Sequence, residues 1–203
     1  MIVTLTLDKI NIADDNIYCS FSEETLRKHY SGNSRQRPRK TYKLYLNNRE
    51  LQLECPVIQN TRQEAIVIWP AIKLPYRKYP VYVYLYGVAL YLSSNLSMRQ
   101  AAAQVRKTFG LDKFSHSTIC RTLKKLSEIT EDLAKIMTGD MSEYTGGCTI
   151  NALEPRKNWD STRQDKYHRL LTILYPVLNK AHIVEYASLL NYQYFNLFKK
   201  FII

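Results

Sequence analysis

The chain has 203 residues, 45% of them hydrophobic, and its 29 Lys and Arg against 18 Asp and Glu give a formal net charge of +11. That length and apolar fraction suit one large or two small globular domains. The positive excess points to an anionic partner, either nucleic acid or an acidic membrane surface. The longest apolar stretches are residues 81–92, too short to cross a bilayer, and the last twenty residues, interrupted by Glu185, Asn191, Lys199 and Lys200.

The charge is not spread evenly. Residues 31–128 hold 17 basic and five acidic side chains, as expected of a stretch that meets phosphates. Cys19, Cys55, Cys120 and Cys148 include no Cys-x-x-Cys pair, so neither a zinc site nor a secreted disulfide framework is indicated. Free thiols in a reducing compartment are the expectation. The start, MIVTLTLDKINIADD, lacks the basic residues and long apolar run of a signal peptide. We therefore expect a cytoplasmic protein with no membrane segment.

In chain order, Val3 and Leu5 alternate with Thr4 and Thr6 as in a short strand, and Ser22 followed by Glu23 and Glu24 suits the start of a short helix. Residues 31–40, SGNSRQRPRK, contain no apolar side chain and read as a basic loop or arm. Arg35, Arg37, Arg39 and Lys40 would follow a DNA backbone or enter its minor groove. Tyr42, Leu44 and Leu46, a turn at Asn47-Asn48-Arg49, then Leu51 and Leu53 predict a hairpin. AIVIW at 65–69 is a third strand, and Pro70, Pro75 and Pro80 predict an extended linker over 70–80. Residues 1–80 are thus expected to form a small β-rich module.

Residues 81–92 alternate like a strand, yet Val81, Leu85, Val88 and Leu92 also share a helical face. The length of the run and the two helices after it favour helix. Ser97-Met98-Arg99-Gln100 is a capping box, Ala101, Ala102, Val105 and Phe109 form a buried stripe, and Gly110 ends the helix. Ser115 caps the next helix, whose stripe is Ile119, Leu123 and Leu126, extending toward Thr130 and Leu133. Residues 137–160, rich in glycine and polar side chains, read as a linker. Residues 161–178 and 181–200 predict two helices, the first kinked by Pro176. The expected organisation is a β module at 1–80, a helix-turn-helix domain at 81–136, a linker at 137–160 and a C-terminal helical segment at 161–203. The fold class is mainly α with a small N-terminal β module (α+β), built on a three-helix core and two C-terminal helices.

A helix pair joined by a tight turn presents the start of its second helix to the DNA major groove. Here that helix, residues 115–129, carries His116, Ser117, Thr118 and Arg121 near its start, within reach of base edges. Lys124 and Lys125, a turn further on, face phosphates, and Arg99, Arg106 and Lys107 on the preceding helix are further phosphate candidates. Double-stranded DNA is the partner these residues imply.

Pro75-Tyr76-Arg77-Lys78-Tyr79, Leu96-Ser97-Met98-Arg99 and Phe114-Ser115-His116-Ser117-Thr118 together resemble the helix-turn-helix region of bacterial insertion-sequence transposases and related uncharacterised proteins. The resemblance spans about residues 75–128. It implies action on mobile-element ends, or a regulator derived from such a protein, and a place on the bacterial nucleoid. Two departures stand out. The Cys-Pro-x-Cys knuckle often found upstream is reduced to Cys55-Pro56, and the turn at 110–114 is longer than the simplest helix-turn-helix turn.

Such transposases continue into a metal-dependent core with three spaced carboxylates. The seventy residues after Leu133 offer Asp140, Glu143, Asp160 and Asp165, none in a recognisable strand. No Walker A, GxGxxG, HExxH or GxSxG pattern occurs. We therefore expect no catalytic residues, no metal and no cofactor; an unrecognised metal-dependent strand-transferase stays open as an alternative. The apolar tail, with Ile183, Tyr186, Leu190, Phe195, Phe198 and Ile202, either packs on the core or makes a homodimer through the C-terminal helices. A protein-interaction module using those helices is the other alternative.

Overall fold

The computed structural model describes residues 2–6, 10–13, 16–19, 35–46, 49–59, 63–137, 159–179 and 181–203, with side chains described from residue 38 onward except that of Leu46. The protein is α+β and mainly helical, with a small sheet ahead of the helices. It divides into two compact units, Met1–Pro80 and Val81–Ile203. The helices at 161–203 therefore belong to the same unit as the helix-turn-helix rather than forming a segment of their own. Residues 138–158 of the linker expected at 137–160, the helix at Ser22, and Asp140 and Glu143 lie outside the described residues; Met137 closes a helix and Asp160 caps one.

The first unit is one six-stranded sheet. Its strands are β1 (Ile2–Thr6), β2 (Ile10–Ala13), β3 (Asn16–Cys19), β4 (Arg35–Leu46), β5 (Arg49–Gln59) and β6 (Ala65–Pro70). β4, β5 and β6 pair antiparallel in sequence. β5 also takes β3 in parallel at Gln52, Leu53 and Glu54, and β1 lies parallel to β6. β5 shows the period-2 pattern in its burial: Leu51, Leu53, Cys55 and Val57 face the core, whereas Gln52 and Glu54 face water.

Two expectations fail in this unit. Arg35, Arg37, Arg39 and Lys40 do not form a free arm, because the chain from Arg35 is already strand β4, paired to β5. Pro38 falls in the register shift between Arg37 and Lys40, where a missing N–H is tolerated. The chain after β6 is likewise not an extended linker. Ala71, Ile72, Lys73, Leu74, Tyr79 and Pro80 are buried in a series of turns.

The second unit is built around α1 (Val81–Ser93). Eleven of its thirteen residues are buried. A helix apolar all round must be covered on all sides. Its cover is α2 (Met98–Phe109), α3 (His116–Glu128), α5 (Ser161–Leu174), a 3-10 turn (Tyr175–Leu178) and α6 (Ile183–Phe198). Phe109 lies against the rings of Tyr82 and Tyr86, with centroids 5.5 and 5.1 Å apart. Gly87 has a packing reason: a Cβ there would lie 3.3 Å from Phe114 Cε1 and 3.5 Å from Ile119 Cγ1. The missing side chain lets α1 approach the turn and α3.

α3 stops at Glu128, and α4 (Thr130–Met137) begins after one residue. The buried Thr130 hydroxyl donates to the carbonyls of Leu126 (3.0 Å) and Ser127 (3.3 Å) at this break. Pro176 does not kink a long helix; α5 ends at Leu174 and the proline sits in the first turn of the 3-10 segment. The apolar tail packs back on its own unit. Ile202 and Ile203 are buried, the buried Asn191 Oδ1 accepts from Ile202 N at 3.2 Å, and the Phe201 ring lies tilted against Phe195 with centroids 5.0 Å apart. Val184 and Leu197 remain exposed.

Candidate nucleic-acid interface

α2 begins with a reciprocal cap. Ser97 Oγ accepts from Gln100 N (3.3 Å), and Gln100 Oε1 accepts from Ser97 N (2.8 Å). The box satisfies two amides that the first turn leaves unpaired. α2 ends at Gly110, whose φ of 58° lies in the left-handed region that glycine adopts without Cβ strain. Leu111 N then donates to Arg106 O (2.9 Å), turning the chain. Leu111 and Phe114 are buried and pin the turn, while Asp112 and Lys113 between them are exposed.

Arg106 makes a structural contact within the motif. Its Nη1 donates to the Phe114 carbonyl at 2.7 Å, across eight residues. The side chain thus joins α2 to the residue just before the second cap and braces the turn. A five-residue turn held at both ends in this way has a defined geometry despite its length.

Ser115 caps α3. Its Oγ accepts from Thr118 N at 3.3 Å and lies 2.7 Å from Ser117 Oγ and 3.0 Å from Thr118 Oγ1. Three hydroxyls therefore cluster at the positive end of the helix dipole. Ile119, Thr122, Leu123 and Leu126 face inward. His116, Arg121, Lys124 and Lys125 are exposed, and Ser117 and Thr118 are half-buried. Cys120 is exposed beside Arg121. α3 carries no acidic residue before Glu128.

Arg99, exposed in the first turn of α2, meets the start of α3 across an open cleft of about 620 Å³. Arg99, Arg106, Lys113, Ser115, His116 and Thr118 line it over Ala102 and Phe114, with no carboxylate among them. Three cations and the amino end of a helix around one cleft favour an anionic group such as a phosphate. Lys113 is a lining residue that sequence patterning does not single out, although a basic residue in the turn just before a helix cap is a signal for it. Lys107 is exposed at the far end of α2, outside this lining.

The four basic positions near residue 35 belong to the other unit. Arg39 pairs with Glu54 (3.5 Å), and Lys40 is exposed; of Arg35 and Arg37 only the strand backbone is described. Asp160, a candidate carboxylate for metal chemistry, instead caps α5 by accepting from Arg163 N at 2.8 Å. Among the described residues no group of three or more His, Cys, Asp or Glu is placed to hold a metal ion. No helix among them is long and apolar enough to cross a membrane. Comparison of the chain with models of known protein families finds no match, and comparisons with curated proteins and with solved structures find none either.

Proposed function

We propose that the chain binds double-stranded DNA through α2, the braced turn and α3, with α3 as the helix that reads the major groove. One observation carries the reading: two capped helices flank a pinned turn, and the outward face of the second presents His116, Arg121, Lys124 and Lys125 beside a cleft lined by cations alone among its charged groups. On this reading His116, Ser117, Thr118 and Arg121 meet base edges, while Lys124, Lys125, Lys107 and Arg99 meet phosphates. Arg106 holds the turn.

The biological setting comes from the resemblance to transposase helix-turn-helix regions. The protein acts on mobile-element ends or as a regulator descended from such an element, in the cytoplasm and on the nucleoid of a bacterium. Two copies meeting through the C-terminal helices would place two α3 helices on related half-sites. Selection from a random duplex library tests the reading. Wild type should enrich one sequence, and Arg121→Ala should relax the preference at a single base position. Enrichment unchanged by Arg121→Ala would remove α3 as the reader.

A further inference from the structure

The turn between Lys73 and Lys78, in the first unit, is built to hold one aromatic ring in solvent. Tyr76 is fully exposed, the most exposed large hydrophobic side chain among the described residues. Its backbone φ is 56°, in the left-handed region that a bulky residue rarely occupies. Such a conformation persists only where the surroundings impose it, and it gathers at functional places.

Here the surroundings are explicit. Lys73 is buried, and its Nζ donates to the carbonyls of Leu74 (3.0 Å) and Arg77, on either side of Tyr76. Lys73 O accepts from Trp69 Nε1 at 2.8 Å, and Lys73 N donates to Pro70 O at 3.0 Å. Lys78 O accepts from Tyr45 N of β4 at 3.0 Å. A buried ammonium used to tie two carbonyls has lost its hydration for a structural purpose, and what it holds in place is an uncovered ring.

The surroundings of the ring are basic. Lys78 is exposed, with its ammonium 3.7 Å from the Tyr45 ring centroid, and Arg77 is half-buried. Glu50 pairs with Lys43 and also faces Lys78. Positive charge around a presented aromatic side chain is the combination that stacks a nucleobase while holding its backbone.

We propose that Tyr76 is a stacking finger for a nucleobase, held rigid by the Lys73 clamp. The inference rests on the reading of the chain as a DNA-binding protein and adds a second contact from the first unit. The base comes either from a single strand or from a step opened within a duplex, and the test separates the two. The full chain is titrated by fluorescence anisotropy into a single-stranded oligonucleotide and into a duplex, each across a salt series. Tyr76→Phe should bind like wild type, whereas Tyr76→Gly should bind about 5- to 150-fold more weakly in at least one arm. Because glycine relieves the positive φ, that loss comes without a fall in Tm. It should also leave the salt slope unchanged, since no cation is removed.

Loss confined to the single-strand arm assigns the base to single strands; loss confined to the duplex arm assigns it to an opened step. Equal binding of wild type and Tyr76→Gly in both arms overturns the finger while leaving the α3 reading intact. Wild type that binds neither nucleic acid overturns both.

Discussion

Replacing Arg106 by Met separates two roles for one residue. The side chain is half-buried and its Nη1 lies 2.7 Å from the Phe114 carbonyl. Removing a charged donor costs about 1.5–3 kcal/mol where the acceptor is left dry. Partial exposure lets water reach this carbonyl, so we expect the lower end, about 1–2 kcal/mol. That is a fall in Tm on the order of 3–8 °C. Thermal unfolding followed by circular dichroism, beside the slope of log K against log salt on duplex DNA, reads both roles together. A brace lowers Tm and leaves the slope of the folded protein nearly unchanged. A phosphate contact leaves Tm alone and flattens the slope by about 0.9. Arg106→Lys, which keeps the charge but not the fork geometry, would restore the slope only in the second case. Unchanged Tm with a flattened slope would refute the brace.

Two further perturbations test the packing around these features. Gly87→Val places two methyls where a single Cβ already lies 3.3 Å from Phe114, so denaturant unfolding should show a loss of about 1–3 kcal/mol from overpacking; stability equal to wild type would mean α1 does not approach the turn so closely. Burial lowers the Lys73 pKa to about 8, offset only in part by nearby Cys55. A group whose folded pKa is depressed contributes most above its unfolded value, and that contribution is lost as pH falls. Stability of wild type should therefore rise between about pH 8 and 10 relative to Lys73→Met at each pH. The buried phenol of Tyr82, raised to about 12, acts on both proteins alike and cancels in that difference. Parallel pH curves for the two proteins would contradict the buried charge.

The helix-turn-helix was legible because its signals are local. Ser97 with Gln100, Gly110 and Ser115 specify their caps within four residues, and Ala101, Val105, Ile119 and Leu123 mark the inner faces by spacing alone. The alternation in β5 and the apolar run of β6 were legible for the same reason. What could not be read depends on partners distant in sequence. β4 starts at polar Arg35 because β5 supplies the hydrogen bonds, not because its side chains favour a strand. β2 and β3, four residues each, gave too short a pattern to find. Arg106 looks like any exposed cation until the turn brings the Phe114 carbonyl to it. The burial of Lys73 and the left-handed backbone of Tyr76 are likewise tertiary outcomes, and neither residue type announces them. The tail was legible as apolar but not as to its partner; Asn191 and Phe195 show that much of it is used within the unit.

The proposed reading role of α3 rests on its exposed cations, so the most direct measurement removes them. Affinity for an enriched duplex is measured between about 50 and 200 mM salt for wild type and for the variant carrying Arg121→Ala, Lys124→Ala and Lys125→Ala. With Lys124 and Lys125 on phosphates and Arg121 on a base edge, the slope of log K against log salt flattens by about 1.8 and sequence preference is lost. The variant's affinity then falls roughly 12-fold less across that range than wild type's does. A flattening of about 2.7 would place Arg121 on a phosphate as well. Equal slopes and equal affinities for the two proteins would contradict the account and move the search for a partner away from α3.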